Sequence, residues 1–237
     1  RGAYEIDIIL LKFDRLLSPR SVINWTSINF PRSDDTEEAI WKIANLLNLP
    51  SLNSIYARCS RLAYRQSTIE EEMEKIRRSK SSYIQTMGSE ILPAFQDFLS
   101  TRQIDAIPDL HEFTDYIHIY IGDDIPDFPI RIRPSFIAIE DGKLTPYFLI
   151  GWSDLSLSPY QKQLLSTVIC NSILTHQDFI GSDAMIVVMP RMEYSNDRDV
   201  RWWKARSYAS LTDDQFADQA SRFQRGLVNT IHRLRRS

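Results

Sequence analysis

Glycine is scarce in this chain, with seven in 237 residues. Phosphate-cradling loops need glycine where backbone N–H groups close on an anion, and neither a GxxxxGK nor a GxGxxG spacing occurs. Cysteine is scarcer still: Cys59 and Cys170 stand far apart. Two thiols make no disulfide framework, and without a CxxC or a histidine pair they make no zinc site. His111, His118, His176 and His232 are scattered and read as surface or capping residues. No apolar run approaches the ~18 residues of a membrane span. The early run IDIILLKF is short and lacks the flanks of a signal peptide. Positive charge is not in excess: 28 Lys+Arg against 31 Asp+Glu give a net charge of −3. Any nucleic-acid surface must therefore be local. There is no GxSxG, so a nucleophile elbow is excluded. The expected setting is cytoplasmic, or nuclear in a eukaryote, with no membrane partner.

What is present is an ordinary globular composition, 43% hydrophobic and 25% charged. The length suffices for a sizeable core. We expect one compact unit, with an N-terminal helical part over residues 1–102 packed on an α/β core over residues 103–237. The chain opens on Arg1-Gly2, which leaves room for a further segment before it. Residues 4–13 read as a strand or a short buried helix. Acids and capping residues from Ser33 to Glu38 start a helix that Pro50 ends. The next helix, SLNSIYARCSRLAYRQ, gathers Leu52, Ile55, Tyr56, Cys59 and Leu62 on one face. Arg58, Arg61 and Arg65 fall on another, as a solvated basic face or a phosphate-contacting ridge. Thr68 caps a charged helix, IEEEMEKIRRSK, expected to be exposed. A third helix spaces Tyr83, Ile84, Met87, Ile91, Phe95 and Phe98, with Pro93 marking a kink or a new first turn.

Strands follow. YIHIYI, residues 116–121, is the first. Residues 129–171 then read as strand, turn, strand, helix: IRIRPSFIAI, the Asp141-Gly142 turn, LTPYFLIGW, and a helix opened by Pro159. AMIVVMP is a buried strand, 191–200 a charged loop, and RWWKARSYAS an edge strand. A last helix turns Phe216, Ala220, Phe223, Leu227 and Ile231 inward. The order is helices, then β-β-β-α-β-β-α: an α/β fold with a mixed central sheet flanked by helices.

Taken in order, several of these segments resemble the RecB-like branch of the PD-(D/E)XK nucleases. There an early helix carries Cys followed by Arg and aromatic residues, and LNSIYARCSRLAYRQ has that shape. A later helix opens with Gly and bears a metal-binding His four positions on. MGSEILPAFQDFL keeps Gly88 but has Leu92 in the His place. A strand then carries a metal-binding Asp, where this chain has Ser135, or Pro134 if the register slips. The hairpin partner bears Asp-x-Lys followed by Thr or Ser, and FLIGWSD offers Ile150, Gly151, Trp152 and Ser153. A helix with Gln-Leu follows, kept as Gln163-Leu164. The resemblance spans residues 51–176.

The resemblance implies a restriction-endonuclease-like scaffold whose catalysis is lost. Nucleases of this branch hold Mg²⁺ with carboxylates and use a lysine to activate water. Isoleucine and tryptophan do neither, so no cofactor is expected. The implied role is a nucleic-acid-binding or assembly module, with DNA, RNA or a larger protein assembly as partner. Arg58, Arg61, Arg65, Lys162 and Arg206 are the candidate phosphate contacts, joined by Gln163 and by Trp202 as a stacking surface. Two alternatives stand beside it. Pro126-Asp127 and Asp141-Gly142-Lys143 satisfy a literal PD…DxK pattern, giving an active Mg²⁺-dependent DNA nuclease with Asp127 and Asp141 as ligands and Lys143 activating water. Against it, Asp-Gly is the commonest hairpin turn, which places Asp141 and Lys143 at an exposed tip. The other alternative is a protein-interaction module with no nucleic-acid role, toward which the acidic net charge leans.

Overall fold

The computed structural model describes residues 36–41, 51–102, 104–106, 113–119, 128–155 and 157–236. The expectation for residues 4–13 lies outside them. Residues 36–41 are helical. Three helices follow: α1 (Asn53–Ala63), α2 (Ile69–Arg77) and α3 (Ser82–Arg102). Thr68 starts α2 with a capping box, accepting from the Glu71 N–H while the Glu71 carboxylate accepts from its own. Helix α3 runs unbroken through Pro93. Ile91, Leu92, Phe95 and Phe98, buried on either side of the proline, supply packing that offsets its lost hydrogen bond.

A five-stranded sheet has the order β1-β4-β5-β6-β7. Its strands are β1 (Asp105–Ala106), β4 (Phe136–Glu140), β5 (Lys143–Ile150), β6 (Met185–Val188) and β7 (Arg201–Lys204). Only β5 and β6 run parallel; the other pairs are antiparallel. Asp141 and Gly142, at φ 50° and 73°, join β4 to β5 with the two left-handed residues that a two-residue hairpin turn favours. The parallel pair needs a crossover, supplied by α4 (Pro159–Cys170). A final helix, α5 (Asp213–Arg236), closes the chain.

One expected strand divides. IRIRPSFIAI is not continuous: β3 (Phe128–Ile132) pairs with β2 (Asp115–Ile119) in a separate two-stranded ribbon. This run joins the main sheet only at Phe136. Pro134 has no N–H for a ladder and constrains Arg133 before it, so the pairing changes there. RWWKARSYAS is also shorter as a strand than expected, ending in a 3₁₀ turn at Ala205–Ser207.

The sheet is buried on both faces. Phe136, Ala138, Tyr147, Leu149, Met185 and Val187 face α1–α3, while Ile137, Phe148, Ile150, Ile186 and Val188 face the α4 and α5 side. None is more than 5% exposed. That is why these strands read as unbroken apolar runs rather than alternating ones. The protein is thus a mixed-sheet α/β fold with helices on both faces. The charged helix α2 departs from expectation: its Glu72 is fully buried. Arg58, Arg61 and Lys75 surround that carboxylate at 2.7, 3.0 and 2.8 Å.

Helices α2 and α3 meet at Gly88, where an added Cβ would fall 2.4 Å from Cδ1 of Ile76. Ile76 is 1% exposed and has little room to yield. Alanine there would gain about 1 kcal/mol of helix propensity against the clash, so valine is the clearer probe. Gly88→Val is expected to cost about 1–3 kcal/mol, read as a lower urea midpoint at unchanged slope.

Candidate functional site

In open α/β sheets the crevice beyond the carboxyl ends of parallel strands is where loops diverge and ligands bind. Here β5 runs out through Gly151, Trp152 and Ser153, and β6 through Met189, Pro190 and Arg191. Between them lies Arg198, whose side chain is fully buried. One of its terminal nitrogens donates to the carbonyls of Gly151 (3.1 Å) and Met189 (2.9 Å). Its Nε and other terminal nitrogen donate to Oε2 of Glu90, at 3.0 and 2.6 Å. Arg191 grips the same carboxylate with two hydrogen bonds of 2.9 and 2.6 Å. Helix α3 delivers Glu90, and its packing positions the strand ends too. A Cβ on Gly151 would lie 2.8 Å from Ile91, and the Gly151 N–H donates to the Tyr56 hydroxyl at 2.8 Å.

The electrostatics follow from this geometry. Burial pushes the Glu90 carboxyl up, but the two guanidinium groups hold it below the ordinary glutamate value. Burial pulls Arg198 down, with Glu90 opposing. Two cations and one anion leave the cluster with one net positive charge. Above it is an open depression of about 370 Å³, lined by Ser82, Tyr83, Thr86, Met87, Ser153 and Arg191.

The positions where the resemblance places metal chemistry hold no metal donors. Leu92 and Ile150 are 0% and 1% exposed within the two apolar clusters. Trp152 is half-buried against both. Ser135 is engaged on three sides: its N–H donates to the Tyr147 carbonyl (2.6 Å), its hydroxyl accepts from the Leu149 N–H (3.2 Å), and its carbonyl accepts from the Ser60 hydroxyl (2.5 Å). Glu90 does reach the crevice, but both its oxygens are taken by arginines. Among the described residues no three or more His, Cys, Asp or Glu side chains gather into a metal-binding group. The residues of this crevice therefore do not fit Mg²⁺, which takes hard oxygen ligands. Of the literal motif, Asp127 lies outside the described residues. Asp141 is exposed at the hairpin tip, and exposed Lys143 donates to the Gly181 carbonyl at 2.8 Å.

The candidate phosphate contacts do not form one surface. Arg58 and Arg61 are not a solvated ridge, because Glu72 engages both. A buried carboxylate draws the cations on the neighbouring helix inward. Arg65 is exposed in the turn after α1, at φ 54°. Trp202 belongs to the same side of the sheet, against Phe98 and under Arg102. Trp203 points to the other side, as the strand period requires. There Lys162 lies over the rings of Trp203 and Tyr208 and donates to the Tyr208 hydroxyl at 3.1 Å. Gln163, half-buried, is on the same helix as Lys162. Exposed Arg206 follows β7, its Nε donating to the Ser182 carbonyl at 3.3 Å.

No protein-family model and no curated protein matches the chain. Among solved structures, one described as "Crystal structure of SSO0001" is similar at 13% identity over 83% of each chain, with a TM-score of 0.33.

Glu90→Ala strands Arg198 as a buried charge and is expected to cost about 3–5 kcal/mol in chemical denaturation. The pH dependence has a defined sign. Folding lowers the Glu90 and Glu72 carboxyls from their ordinary 4.5. Their stabilisation is therefore complete above that value and is lost as pH falls through the folded-state values. Melting temperatures measured from about pH 6 to pH 3 should fall in the acid range, and fall less steeply in Glu72→Gln and Glu90→Gln.

Proposed function

We propose that this chain is a RecB-like, restriction-endonuclease-type domain without metal chemistry, and that it works as an assembly module. The observation that carries this reading is the exchange at the crevice. Leu92, Ser135, Ile150 and Trp152 stand where the resemblance asks for imidazole, carboxylates and lysine, and an arginine–glutamate cluster closes the same end of the sheet. The element order supports it: a hairpin, a crossover helix carrying Gln163-Leu164, and a parallel strand. A catalytic metal site needs negative donors with open coordination positions. This crevice offers the reverse, a net positive cluster with its carboxylate saturated. Phosphate binding is the weaker role, because Glu72 engages two of the candidate arginines and the other candidates are spread over both sides of the sheet.

The test uses the full chain with labelled single- and double-stranded DNA. With Mg²⁺ or Mn²⁺ we expect no cleavage. At low salt we expect binding no tighter than the non-specific range of about 10⁻⁴–10⁻⁶ M. Metal-dependent nicking that disappears in Asp127→Ala or Asp141→Ala would establish the literal-motif nuclease instead. Tight binding that weakens steeply with salt would establish a nucleic-acid module.

A further inference from the structure

The loop between β6 and β7 carries a feature the proposed function does not use. Its root is fixed: Arg191 and Arg198 pair across it as a β-bridge, and both are held by Glu90. Its tip, MEYSND (residues 192–197), is braced internally. The Met192 N–H donates to the Asp197 carbonyl (2.8 Å), the Ser195 N–H to the Met192 carbonyl (3.3 Å), and the Ser195 hydroxyl to the Asp197 carboxylate (2.8 Å). On this tip Tyr194 is 98% exposed and Met192 51% exposed. Tyr194 also sits at φ 61°.

A tyrosine in that place is doubly unfavourable. The left-handed region penalises a bulky side chain and suits Asn or Gly. The ring, meanwhile, buries no apolar surface within the chain. Strain of this kind persists where the residue has another task, and tyrosine is a favoured interface anchor. A recess lies at the root of this loop. Arg191, at the root of the loop, also lines the depression over the arginine–glutamate cluster, so tip and recess share one face. The recess is within the roughly 300–1,000 Å³ of small-ligand clefts, enough for one phenol ring. Met87 and Tyr83 offer contacts to the ring, Arg191 a cation for its face, and the hydroxyls of Ser82, Thr86 and Ser153 hydrogen bonds to its O–H. Charge agrees as well. Glu193 and Asp197 make the exposed tip negative, matching the net positive cluster beneath the recess and disfavouring phosphate as the occupant.

We infer that the chain forms a two-fold dimer in which Tyr194 of each copy enters the depression lined by Tyr83, Thr86, Met87 and Arg191 of the other. A tip and a recess side by side on one face are what a self-complementary interface requires. The inference goes beyond the proposed function by naming one partner of the module; it shares with that reading the arginine–glutamate cluster and adds the 192–197 tip and the recess.

Sedimentation velocity of the full chain over a range of concentrations tests it. The expected result is a reversible monomer–dimer equilibrium. Tyr194→Asn should raise the dissociation constant about tenfold or more, with an unchanged circular dichroism spectrum, since asparagine tolerates the left-handed backbone. Thr86→Trp should act in the same way by filling the recess. Mixing the two variants should partly restore association, because the mixture keeps one intact tip-and-recess contact. A chain that stays monomeric throughout, or a dimer that Tyr194→Asn leaves unchanged, would overturn the inference. Neither result bears on metal-dependent cleavage, so this proposal and the proposed function can fail separately.

Discussion

The structure depends on how a fully buried arginine is satisfied at the end of a parallel strand pair. Taking a guanidinium out of water is costly, and the cost is offset only if its donors and its charge find partners together. Arg198 meets both conditions. Two strand-end carbonyls accept from one side of its fork, and the Glu90 carboxylate accepts from the other. The partners come from the middle of α3, from just beyond β5 and from just beyond β6, so a single side chain ties three elements together. Arg191 adds a second grip on the same carboxylate, which completes the pairing that a buried anion needs.

The same physics recurs at Glu72, where α2 places a carboxylate with no solvent exposure between two arginines of α1 and a lysine one turn on. There the cationic surplus is larger: three cations surround one anion, and the surplus reaches the surface through Arg61 and Lys75. Both hubs lie on the α1–α3 side of the sheet, and both bind helix to neighbour more specifically than apolar packing would. The α4 and α5 side relies on apolar packing instead, with Leu164, Leu165, Val168 and Ile169 from α4 and Phe223, Leu227 and Ile231 from α5.

The sequence revealed elements better than contacts, for a physical reason. Apolar period and turn chemistry are local, so the hairpin at Asp141-Gly142, the Pro159 helix and the inward face of α1 could be read directly. Pro134 could have signalled the break between β3 and β4, but the flanking apolar residues masked it. The charge hubs were not legible. Glu90 and Arg198 are brought together only by the sheet order, and 191–200 therefore read as a charged loop. Glu72 was hidden among three consecutive glutamates, where helical phase alone decides which one is buried. A weak signal for Glu90 did exist: it falls beside Ile91 and Leu92 in an otherwise apolar stretch, an odd place for a charge without a partner.

Why a charged cluster fills this crevice is the remaining question. Replacing a buried ion pair with apolar residues of the same volume is often neutral or stabilising, by about 1–4 kcal/mol. Stability alone therefore does not explain Glu90, Arg191 and Arg198. Geometry does. An apolar plug would fill the space without fixing direction, whereas two forked guanidinium groups on one carboxylate fix both the strand ends and the root of the 191–198 loop. That fixed root is what lets the loop hold Tyr194 in an unfavourable backbone conformation without relaxing. The crevice and the loop are thus one device. The arginine–glutamate cluster at the ends of β5 and β6 also anchors the loop that carries Tyr194, the most exposed aromatic side chain among the described residues.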